Sequence, residues 1–402
     1  MNPTIESLYQ IAKKPTRTII GLMSGTSLDG LDVALCTLSG AGKNTLVTLK
    51  QFKTISYSEA VKTEIRKVFA QKIIDFQHLA LLNEWIGILH ANMVLDCLTE
   101  WNISTNEVDL IASHGQTVMH APKILHQQAE FPNATLQIGD GDHIAVHTGI
   151  ITISDFRQKH VAAGGEGAPL AIYGDYYLFG SEKENRIMLN LGGIGNFTFL
   201  PKDQKPENVF VTDTGTGNTL IDAFVKLHFP EMSYDKEAQI ARKGTINTNL
   251  LHALKNNPFF KESFPKTTGP ELFNLEYIQQ ALTESNTQNS SIEDILATLT
   301  RFSAETAAEA ILFAIQNSEA TANDVTVYVS GGGMHNPLLM EYLKELLPCP
   351  FKNTNELGIS GDAKEAILFA VLANETVAGG GTNFGTKKGI PSVTMGKISF
   401  PN

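Results

Sequence analysis

The sequence predicts an α/β protein made of two similar halves, with a ligand cleft between them. Three observations lead to this prediction. Glycine-rich loops follow short runs of β-forming residues, the same order of elements occurs twice, and 402 residues suffice for about two domains. Such a repeat indicates a duplicated α/β domain, a type of fold that binds its ligands between the halves.

The first half begins with a predicted β-hairpin. Residues 18–23 and 31–36 are β-forming runs, and the segment 24–30 between them is rich in Ser, Gly and Asp. In chain order, the next predicted elements are helices over 58–70 and 75–101 and a buried strand over 108–112. That strand ends in Ser113-His114-Gly115-Gln116-Thr117. The predicted order of elements in the first half is therefore hairpin, helices, strand and glycine loop.

The second half repeats this order. Its predicted elements are a hairpin over 186–200, helices over 218–228 and 291–316, a buried strand over 325–329 and a helix over 336–347. The segment 229–274 is interpreted as an insertion, and 155–169 as the crossing between halves. A late helix begins near Ala363, and the tail contains a strand-like run, 392–395, that we expect to pair with the first half. The predicted domains are therefore 1–157, completed by 366–402, and 158–365.

Composition excludes several classes of protein. There are 31 Lys+Arg against 42 Asp+Glu, a net charge of −11, which opposes binding to nucleic acid or to an anionic membrane. The three cysteines form no CxxC pair, and neither a signal peptide nor a long apolar run is found. We therefore expect a cytoplasmic protein without nucleic-acid or membrane partners, and a homodimer is compatible with this sequence.

The loop of the first hairpin is a candidate phosphate site. Its glycines expose backbone N–H groups, its hydroxyls can donate to phosphoryl oxygens, and its carboxylates, Asp29 and Asp32, can hold Mg²⁺. The candidate phosphate ligands are Gly25, Thr26, Ser27, Leu28, Asp29, Gly30, Leu31 and Asp32. A polar hairpin turn without a ligand is an equally good interpretation of this loop taken alone.

Asp213 is the candidate catalytic base. It follows the predicted strand 209–212, and α/β folds place their sites at the carboxyl ends of strands. The alternative is a helix N-cap, but the helical pattern begins near Asn218, which makes Asn218 the better cap. A catalytic role for Asp213 is therefore favoured.

Other loops offer weaker candidates. Gly331, Gly332 and Gly333 follow a strand, and since one glycine would suffice for the turn, a ligand contact is favoured. In a duplicated fold this loop would lie on the adenosine side of the cleft. The groups suited to a polar substrate are His114, Gln116 and Thr117 for sugar hydroxyls and Arg157 for a carboxylate. A surface ion pair with Asp155 is the alternative for Arg157, and solvation on a helix surface is the alternative for Glu365.

The chain resembles the anhydro-N-acetylmuramic acid kinase family, whose fold is that of sugar kinases, actin and heat-shock ATPases. The first motif, Gly21 to Asp32 (GLMSGTSLDGLD), is long and specific. In order, the other matching segments are 113–117, 137–140, 155–157, 165–170, 190–194, 213–218 and 331–333. The matches extend from about residue 18 to about residue 372.

The resemblance implies a reaction and roles for residues. The family transfers the γ-phosphoryl group of ATP to the sugar's 6-oxygen while water opens the 1,6-anhydro bridge, a step of peptidoglycan recycling. Asp213 would activate the water, Arg157 would bind the lactyl carboxylate, and Mg²⁺ would accompany ATP near Asp29 and Asp32. The resemblance also implies ATP ligands at Gly192, Gly193 and Asn196, and sugar ligands at Gly215, Asn218 and Glu365.

The sequence departs from the family pattern at several positions and leaves two other functions open. Thr216 stands where the family usually has proline, Pro270 where it has arginine, and Gly141-Asp142 and Gly195 are also unusual. The alternatives are a sugar- or nucleotide-sensing protein without catalysis and a phosphohydrolase, both on the same fold. None of the departures changes Asp213.

Overall fold

The structure is a computed structural model that describes residues 2–385 and 389–402. In order, the helices are α1 Pro3–Lys13, α2 Glu59–Arg66, α3 Phe76–Glu100, α4 Lys123–His126, α5 Gly141–Thr148, α6 Phe156–Ala162, α7 Ala171–Phe179, α8 Thr219–His228, α9 Thr248–Lys255, α10 Leu275–Glu284, α11 Ile292–Gln316, α12 Pro337–Leu346 and α13 Lys364–Ala378. The strands are β1 Thr16–Ser24, β2 Gly30–Ser39, β3 Leu46–Ser56, β4 Leu110–Ala121, β5 Ala134–Ile138, β6 Thr152–Ser154, β7 Asn185–Leu191, β8 Ile194–Leu200, β9 Phe210–Thr216, β10 Val325–Ser330, β11 Phe351–Asn353 and β12 Lys397–Ser399.

The chain forms two compact units. Unit 1 contains residues up to Phe179, a short segment 205–207 and residues 362–402, and unit 2 contains 180–204 and 208–361. Unit 1 extends to Phe179, beyond the boundary expected at 157, because α7 packs against α13. For the same reason the whole of α13, including Glu365, belongs to unit 1.

The five-stranded sheet of unit 2 has the same topology as five of the seven strands in the sheet of unit 1. In unit 1 the strand order is β12-β6-β4-β1-β2-β3, with β5 paired to β4, and in unit 2 it is β11-β10-β7-β8-β9. In each unit three successive antiparallel strands are followed by two that pair in parallel, β1 with β4 and then β6, and β7 with β10 and then β11. The predicted duplicated α/β fold is therefore confirmed.

Strand β1 is buried on both faces over residues 19–23, which explains the polar-free run of that segment. Ile20 and Leu22 lie in a core cluster that also contains Ile86 and Val94 of α3. On the opposite face a Cβ at Gly21 would lie 1.9 Å from the Ala366 carbonyl oxygen of α13. Only glycine allows this close approach of the helix to the strand.

In unit 2 the long helix α11 separates two apolar clusters. Ala304, Ala307 and Ala308 pack with the sheet strands β7, β8 and β10, since small side chains bring the helix close to the sheet. Leu299 and Phe302 instead pack with residues of α8, α9 and α10. The predicted insertion 229–274 supplies part of this second cluster.

The tail pairs with unit 1, as expected, but through different residues. The predicted strand 392–395 is wrong, because Val393 N–H bonds back to the Pro391 carbonyl and the Ser392 hydroxyl accepts from the backbone N–H of Phe384. Strand β12 follows instead and pairs antiparallel with β6. Among the helices in the described ranges, none combines the length and apolar character that a bilayer crossing needs.

Candidate active site

The turn between β1 and β2 is held by hydrogen bonds at both of its ends. Ser24 Oγ lies 2.6 Å from Gln116 Oε1, 3.0 Å from the Gly30 carbonyl oxygen and 2.8 Å from Tyr57 Oη. Gln116 Nε2 donates to the Gly25 carbonyl at 2.9 Å, and Tyr57 N–H donates to the Asp29 carbonyl at 2.9 Å. Gln116 of β4 and Tyr57, the residue after β3, therefore fix the course of the loop.

The chemistry of these groups determines the direction of each hydrogen bond. Gln116 Oε1 and the Gly30 carbonyl can only accept, so the single hydroxyl proton of Ser24 points toward these two oxygens, with Gln116 Oε1 the nearer, and Ser24 accepts from Tyr57. Tyr57 in turn accepts from His90 Nε2, 2.7 Å away, while His90 Nδ1 has no partner among the described residues. Burial lowers the pKa of His90 to about 4, so its imidazole is neutral. Sequence reasoning missed both Tyr57 and His90. The only signal for His90 was a polar residue within the apolar helix α3, and Tyr57, between β3 and α2, had none.

The loop keeps part of its surface available to a ligand. Thr26, Ser27 and Asp29 are exposed, and a Cβ at Gly25 would meet no atom closer than 3.7 Å. Protein packing alone therefore does not require glycine at position 25. The side chains of Leu28 and Leu31 lie in the core cluster, so these two residues can contact a ligand only through their backbone.

Asp32 is a partly buried carboxylate close to the first hairpin turn. Its Oδ1 accepts from Thr54 Oγ1 at 2.5 Å, and its pKa is raised by burial and, to a smaller extent, by the negative charges of Asp29 and Asp362. No set of three His, Cys, Asp or Glu side chains within the described ranges could hold a metal alone. Since Mg²⁺ commonly binds one or two carboxylates together with phosphate oxygens and water, Asp32 and Asp29 fit this ion.

His114 and Arg157 form a buried pair in unit 1. His114 Nδ1 donates to the Gly115 carbonyl at 2.8 Å, and Arg157 Nε donates to His114 Nε2 at 2.8 Å. Burial, and then the charge of Arg157, lower the pKa of His114 to about 3, so His114 accepts this bond as a neutral imidazole. Arg157 Nη1 donates to the Gly167 carbonyl at 2.6 Å, and Asp155 contacts Lys397 rather than Arg157.

The residues of β4 that are predicted to bind the sugar already form hydrogen bonds within the protein. His114 and Gln116 are 2% and 0% exposed, and their nitrogen and oxygen atoms bond to neighbouring residues. Thr117 Oγ1 accepts from Gln137 Nε2 at 3.3 Å. A direct contact between these side chains and a sugar stays a prediction, whereas their contacts with Ser24, Gly25 and Arg157 suit a positioning role.

Asp213 lies within strand β9, not after its end as expected. The strand continues to Thr216, with a bulge that pairs Asn196 with Asp213 and Gly195 with Gly215, leaving Thr214 as the extra residue. Bulges commonly redirect a side chain next to an active site. The residue pattern of this segment carries no sign of the irregularity.

The carboxylate of Asp213 has one fixed oxygen. Thr268 N–H donates to Oδ2 at 2.8 Å, while Oδ1 has no hydrogen bond to any described residue. The pKa of Asp213 is raised to about 6, chiefly by burial and further by Glu271, against the lowering effect of the Thr268 bond. Asp213 is therefore mostly ionised near neutral pH and basic enough to accept a proton. Thr268 was not predicted as a functional residue.

The N-terminus of α8 differs from the expected capping arrangement. Asn218 makes no side-chain cap, and its Nδ2 donates to the Leu191 carbonyl at 3.3 Å. Thr216 Oγ1 instead accepts from Leu220 N–H at 3.4 Å. Since proline has no hydroxyl, the departure at position 216 supplies a cap.

Packing within the protein explains why glycine is needed at most positions of the remaining glycine loops. At Gly331, φ is +84° and a Cβ would lie 2.7 Å from Asn190 Oδ1, while a Cβ at Gly333 would lie 2.8 Å from Leu191 Cβ. The expectation that one glycine would suffice for this turn is therefore wrong. A Cβ at Gly332 would meet nothing closer than Asn218 Nδ2 at 3.8 Å, which leaves this glycine accessible to a ligand. The carbonyls of Gly192 and Gly193 accept from the N–H groups of residues 217–219.

Glu365 lies in the first turn of α13, on the solvent-exposed part of the helix. Although the residue is exposed, nearby protein atoms displace water from around its carboxyl group. This desolvation raises the pKa of Glu365, against the lowering effects of Arg157 and then Lys364. Lys364 itself contacts Asp175, with 2.7 Å between Nζ and Oδ1. The predicted residues Arg157 and Glu365 thus interact electrostatically within unit 1.

Known proteins resemble this chain over its full length. A family model described as anhydro-N-acetylmuramic acid kinase matches residues 17–400. Proteins of that name from Pseudoalteromonas atlantica and Caldanaerobacter subterraneus are 54% and 37% identical, covering 100% and 98% of this chain and all of theirs. Among solved structures, a 2-hydroxyisocaproyl-CoA dehydratase activator from Clostridium difficile with bound ADPNP aligns with 90% of this chain and 96% of its own, at 12% identity and a TM-score of 0.39.

The family match and these full-length relatives confirm the resemblance found in the motifs. The chain belongs to the anhydro-N-acetylmuramic acid kinase family.

Proposed function

We propose that this chain converts 1,6-anhydro-N-acetylmuramic acid, water and ATP into N-acetylmuramic acid 6-phosphate and ADP, with Asp213 as the general base. Membership of the anhydro-N-acetylmuramic acid kinase family supports the reaction. The observation that carries the role of Asp213 is its environment: one oxygen is held by Thr268 N–H, the other has no partner among the described residues, and the pKa is about 6. This is the arrangement expected of a carboxylate that takes a proton from water.

Water addition to the sugar and phosphoryl transfer from ATP together form one balanced reaction. Asp213 accepts a proton from water, the water oxygen bonds to the anomeric carbon, and the bond from that carbon to the 6-oxygen breaks. The released 6-oxygen then bonds to the γ-phosphorus, and ADP leaves. Asp213 returns its proton to solvent, so one proton is released in each turnover. Positioning of the reactants supplies much of the rate.

The first hairpin would hold the phosphates of ATP. The exposed hydroxyls of Thr26 and Ser27, the backbone N–H groups and the open face of Gly25 support this role. Asp32 and Asp29 would hold Mg²⁺, which would neutralise phosphate charge when bound. Gly192, Gly193, Asn196 and the 331–333 loop complete the proposed nucleotide ligands, with Gly332 the best supported of the loop because of its open space.

The sugar ligands are proposed on similar grounds. Arg157 would bind the lactyl carboxylate through Nη2, since its bonds to described residues use Nε and Nη1. His114 and Gln116 would act by positioning Arg157 and Gly25. Gly215, Asn218, Thr117 and Glu365 stay sugar-ligand predictions.

The proposed cellular setting is the cytoplasm, which supplies ATP, and the proposed pathway is peptidoglycan recycling. A homodimer stays a prediction.

The test is an assay of the purified protein with ATP, Mg²⁺ and the anhydro sugar, following ADP and the sugar phosphate. We expect stoichiometric formation of both products. Phosphate release without a sugar would support the phosphohydrolase instead, and binding of both ligands without turnover would support the sensing protein.

The rate should depend on the ionisation of Asp213. Its raised pKa means that the catalytic, deprotonated form is lost as the pH falls through about 6. We therefore expect kcat/KM to fall about ten-fold per pH unit below that value, and to be level just above it. A profile of kcat/KM from about pH 4.5 to 8 measures this, with unfolding followed in parallel. A rate that stays level down to about pH 4.5 would contradict a base of this pKa.

Replacement of Arg157 with glutamine should weaken binding of the sugar more than binding of ATP. The amide carries no charge and cannot form a charge-assisted hydrogen bond with a carboxylate, so we expect KM for the anhydro sugar to rise about 10–100-fold. The matched substrate is 1,6-anhydro-N-acetylglucosamine, which lacks the lactyl carboxylate. Its KM should change much less, and an equal rise for both sugars would argue against the proposed contact.

A further inference from the structure

Lys266 is a buried cation in unit 2 without a carboxylate partner among the described residues. It is 7% exposed, and its ammonium nitrogen lies 4.3 Å from the ring centre of Phe259 and 5.6 Å from those of Phe260 and Phe264. Nζ donates one hydrogen bond, to the Phe259 carbonyl at 2.9 Å. We call Lys266 and these three rings the phenylalanine cage.

Burying an ammonium group among aromatic rings without a carboxylate partner costs free energy of folding. Burial lowers the pKa of Lys266, and the negative charge of Glu262 acts in the opposite direction to a smaller extent. A methionine would fill an aromatic pocket without this desolvation cost. Cation–π attraction and the carbonyl bond offset part of the cost, and both also fix the direction of the side chain.

The backbone of Lys266 connects this cage to Asp213. The Lys266 carbonyl accepts from Asp213 N–H at 3.0 Å, and Lys266 N–H donates to Thr212 Oγ1 at 3.1 Å. Two residues later, Thr268 N–H donates to Asp213 Oδ2 at 2.8 Å. The caged lysine is therefore the anchor of the short segment that bonds to both the backbone and the carboxylate of Asp213.

The cage also touches the strand that carries Asp213. A Cβ at Gly215, two residues after Asp213, would lie 3.0 Å from Cε1 of Phe260. Phe260 in turn packs edge-on against Phe302 of α11, with 5.6 Å between ring centres. Phe260 therefore contacts both Lys266 and the part of strand β9 that follows Asp213.

We propose that Lys266 is a positioning residue for Asp213: the phenylalanine cage fixes the 266–268 segment so that Thr268 N–H meets Asp213 Oδ2. The inference rests on the proposed role of Asp213 as the base. It adds a specific function for a lysine that contacts neither the carboxylate nor, in the proposed reaction, the substrates.

The pH dependence of turnover distinguishes this role from a merely structural one. The Thr268 bond lowers the pKa of Asp213, so loss of the bond should move the acid limb of the rate profile to higher pH. The other ionisable groups to consider are Glu271, which acts on Asp213, and Glu262, which acts on Lys266. On the α11 side, Thr306 and Phe302 face this region, and Glu305 is paired with Lys255 and Arg301.

The experiment compares kcat profiles of the wild type, Lys266→Met and Lys266→Arg. We expect Lys266→Met to move the acid limb up by about one pH unit, which lowers kcat roughly eight-fold near pH 5.5 and less than about two-fold near pH 8.5. Lys266→Arg keeps a cation among the rings and should keep the limb within about 0.3 pH unit of wild type. Lys255→Met, which removes a lysine paired with Glu305 and Glu309, is the matched control and should not move the limb.

A second variant protects the test against misfolding of Lys266→Met. Phe264→Leu removes one ring and leaves the lysine, and should move the limb in the same direction by a smaller amount. Unmoved limbs in the folded cage variants, with kcat lowered equally at all pH values, would overturn the inference. Asp213→Asn, assayed alongside, tests the base itself: if it retains turnover the proposed function fails, whereas an inactive Asp213→Asn with unmoved cage variants removes only the inference about Lys266.

Discussion

Replacement of Asp213 with asparagine is expected to lower kcat by about 10²–10⁴-fold while leaving the protein folded and able to bind ATP. Asparagine has nearly the same shape, and its amide oxygen can accept the Thr268 hydrogen bond that the carboxylate accepts in the wild type. It cannot accept a proton from water. The measurement is single-turnover formation of sugar phosphate, with ATP affinity determined separately and thermal unfolding as the check on folding.

Asp222 provides a matched control. It lies in α8 of the same unit, and burial raises its pKa to about 6, as at Asp213, but it has no place in the proposed chemistry. Asp222→Asn should keep kcat within about three-fold of wild type. If both variants lost turnover equally, a raised carboxylate pKa in unit 2 would not identify the base. If Asp213→Asn kept near-normal turnover, the proposed mechanism would be wrong.

The sequence was sufficient to predict the fold because its signals are local. The sequence of each hairpin contains two β-forming runs on either side of a glycine turn, and each hairpin is followed by helices and a buried strand. The repetition of that order predicts one topology for both halves, which the strand orders confirm. The long motif from Gly21 to Asp32 was specific enough to indicate the family.

The contacts that set the chemistry of the candidate site are not local, so sequence reasoning missed them. Thr268 is 55 positions from Asp213, and Tyr57 is 33 positions from Ser24. Neither contact follows from the period of a strand or helix, because each depends on how separate segments pack. The bulge at Thr214 is likewise a property of the pairing between two strands, and it moved Asp213 from a loop into β9.

The same limit applies to the interpretation of glycines and polar loops. Gly331 and Gly333 looked like ligand contacts because their neighbours in space, Asn190 and Leu191, lie far away in the sequence. His114 and Gln116 looked like sugar ligands because nothing in the sequence indicates that protein groups already occupy their polar atoms. Residue types predict which chemistry is available, and packing decides where it is used.

The net charge of −11 poses a physical problem for an enzyme whose proposed substrates are both anions. The first hairpin does not solve it alone, since Asp29 and Asp362 act on Asp32 with the same negative sign. Phosphate groups brought to this loop would be repelled unless a cation were bound with them. Asp32 is therefore the residue at which the proposed need for Mg²⁺ can be tested most sharply.

Asp32→Asn should have opposite effects on nucleotide with and without Mg²⁺. Loss of a carboxylate ligand should lower kcat/KM for Mg–ATP by about 10²-fold or more, and should raise the Mg²⁺ concentration needed for half-maximal rate. Removal of a negative charge beside the phosphates should instead tighten the binding of ATP in excess EDTA, by about two- to ten-fold. The amide oxygen of the variant side chain can still accept the hydrogen bond from Thr54 Oγ1, so the contact between β2 and β3 is retained.

The control for net charge is Asp96→Asn, which removes one carboxylate from an exposed position on α3 of the same unit. It should change neither the Mg²⁺ requirement nor the binding of free ATP by more than about two-fold, since exposed charges at a distance are screened by salt. Calorimetry with and without EDTA measures both affinities, and steady-state rates at varied Mg²⁺ measure the requirement. Equal weakening of Mg–ATP and free ATP by Asp32→Asn would indicate a damaged loop rather than a lost ligand, because only a metal-binding carboxylate makes the two changes differ in sign.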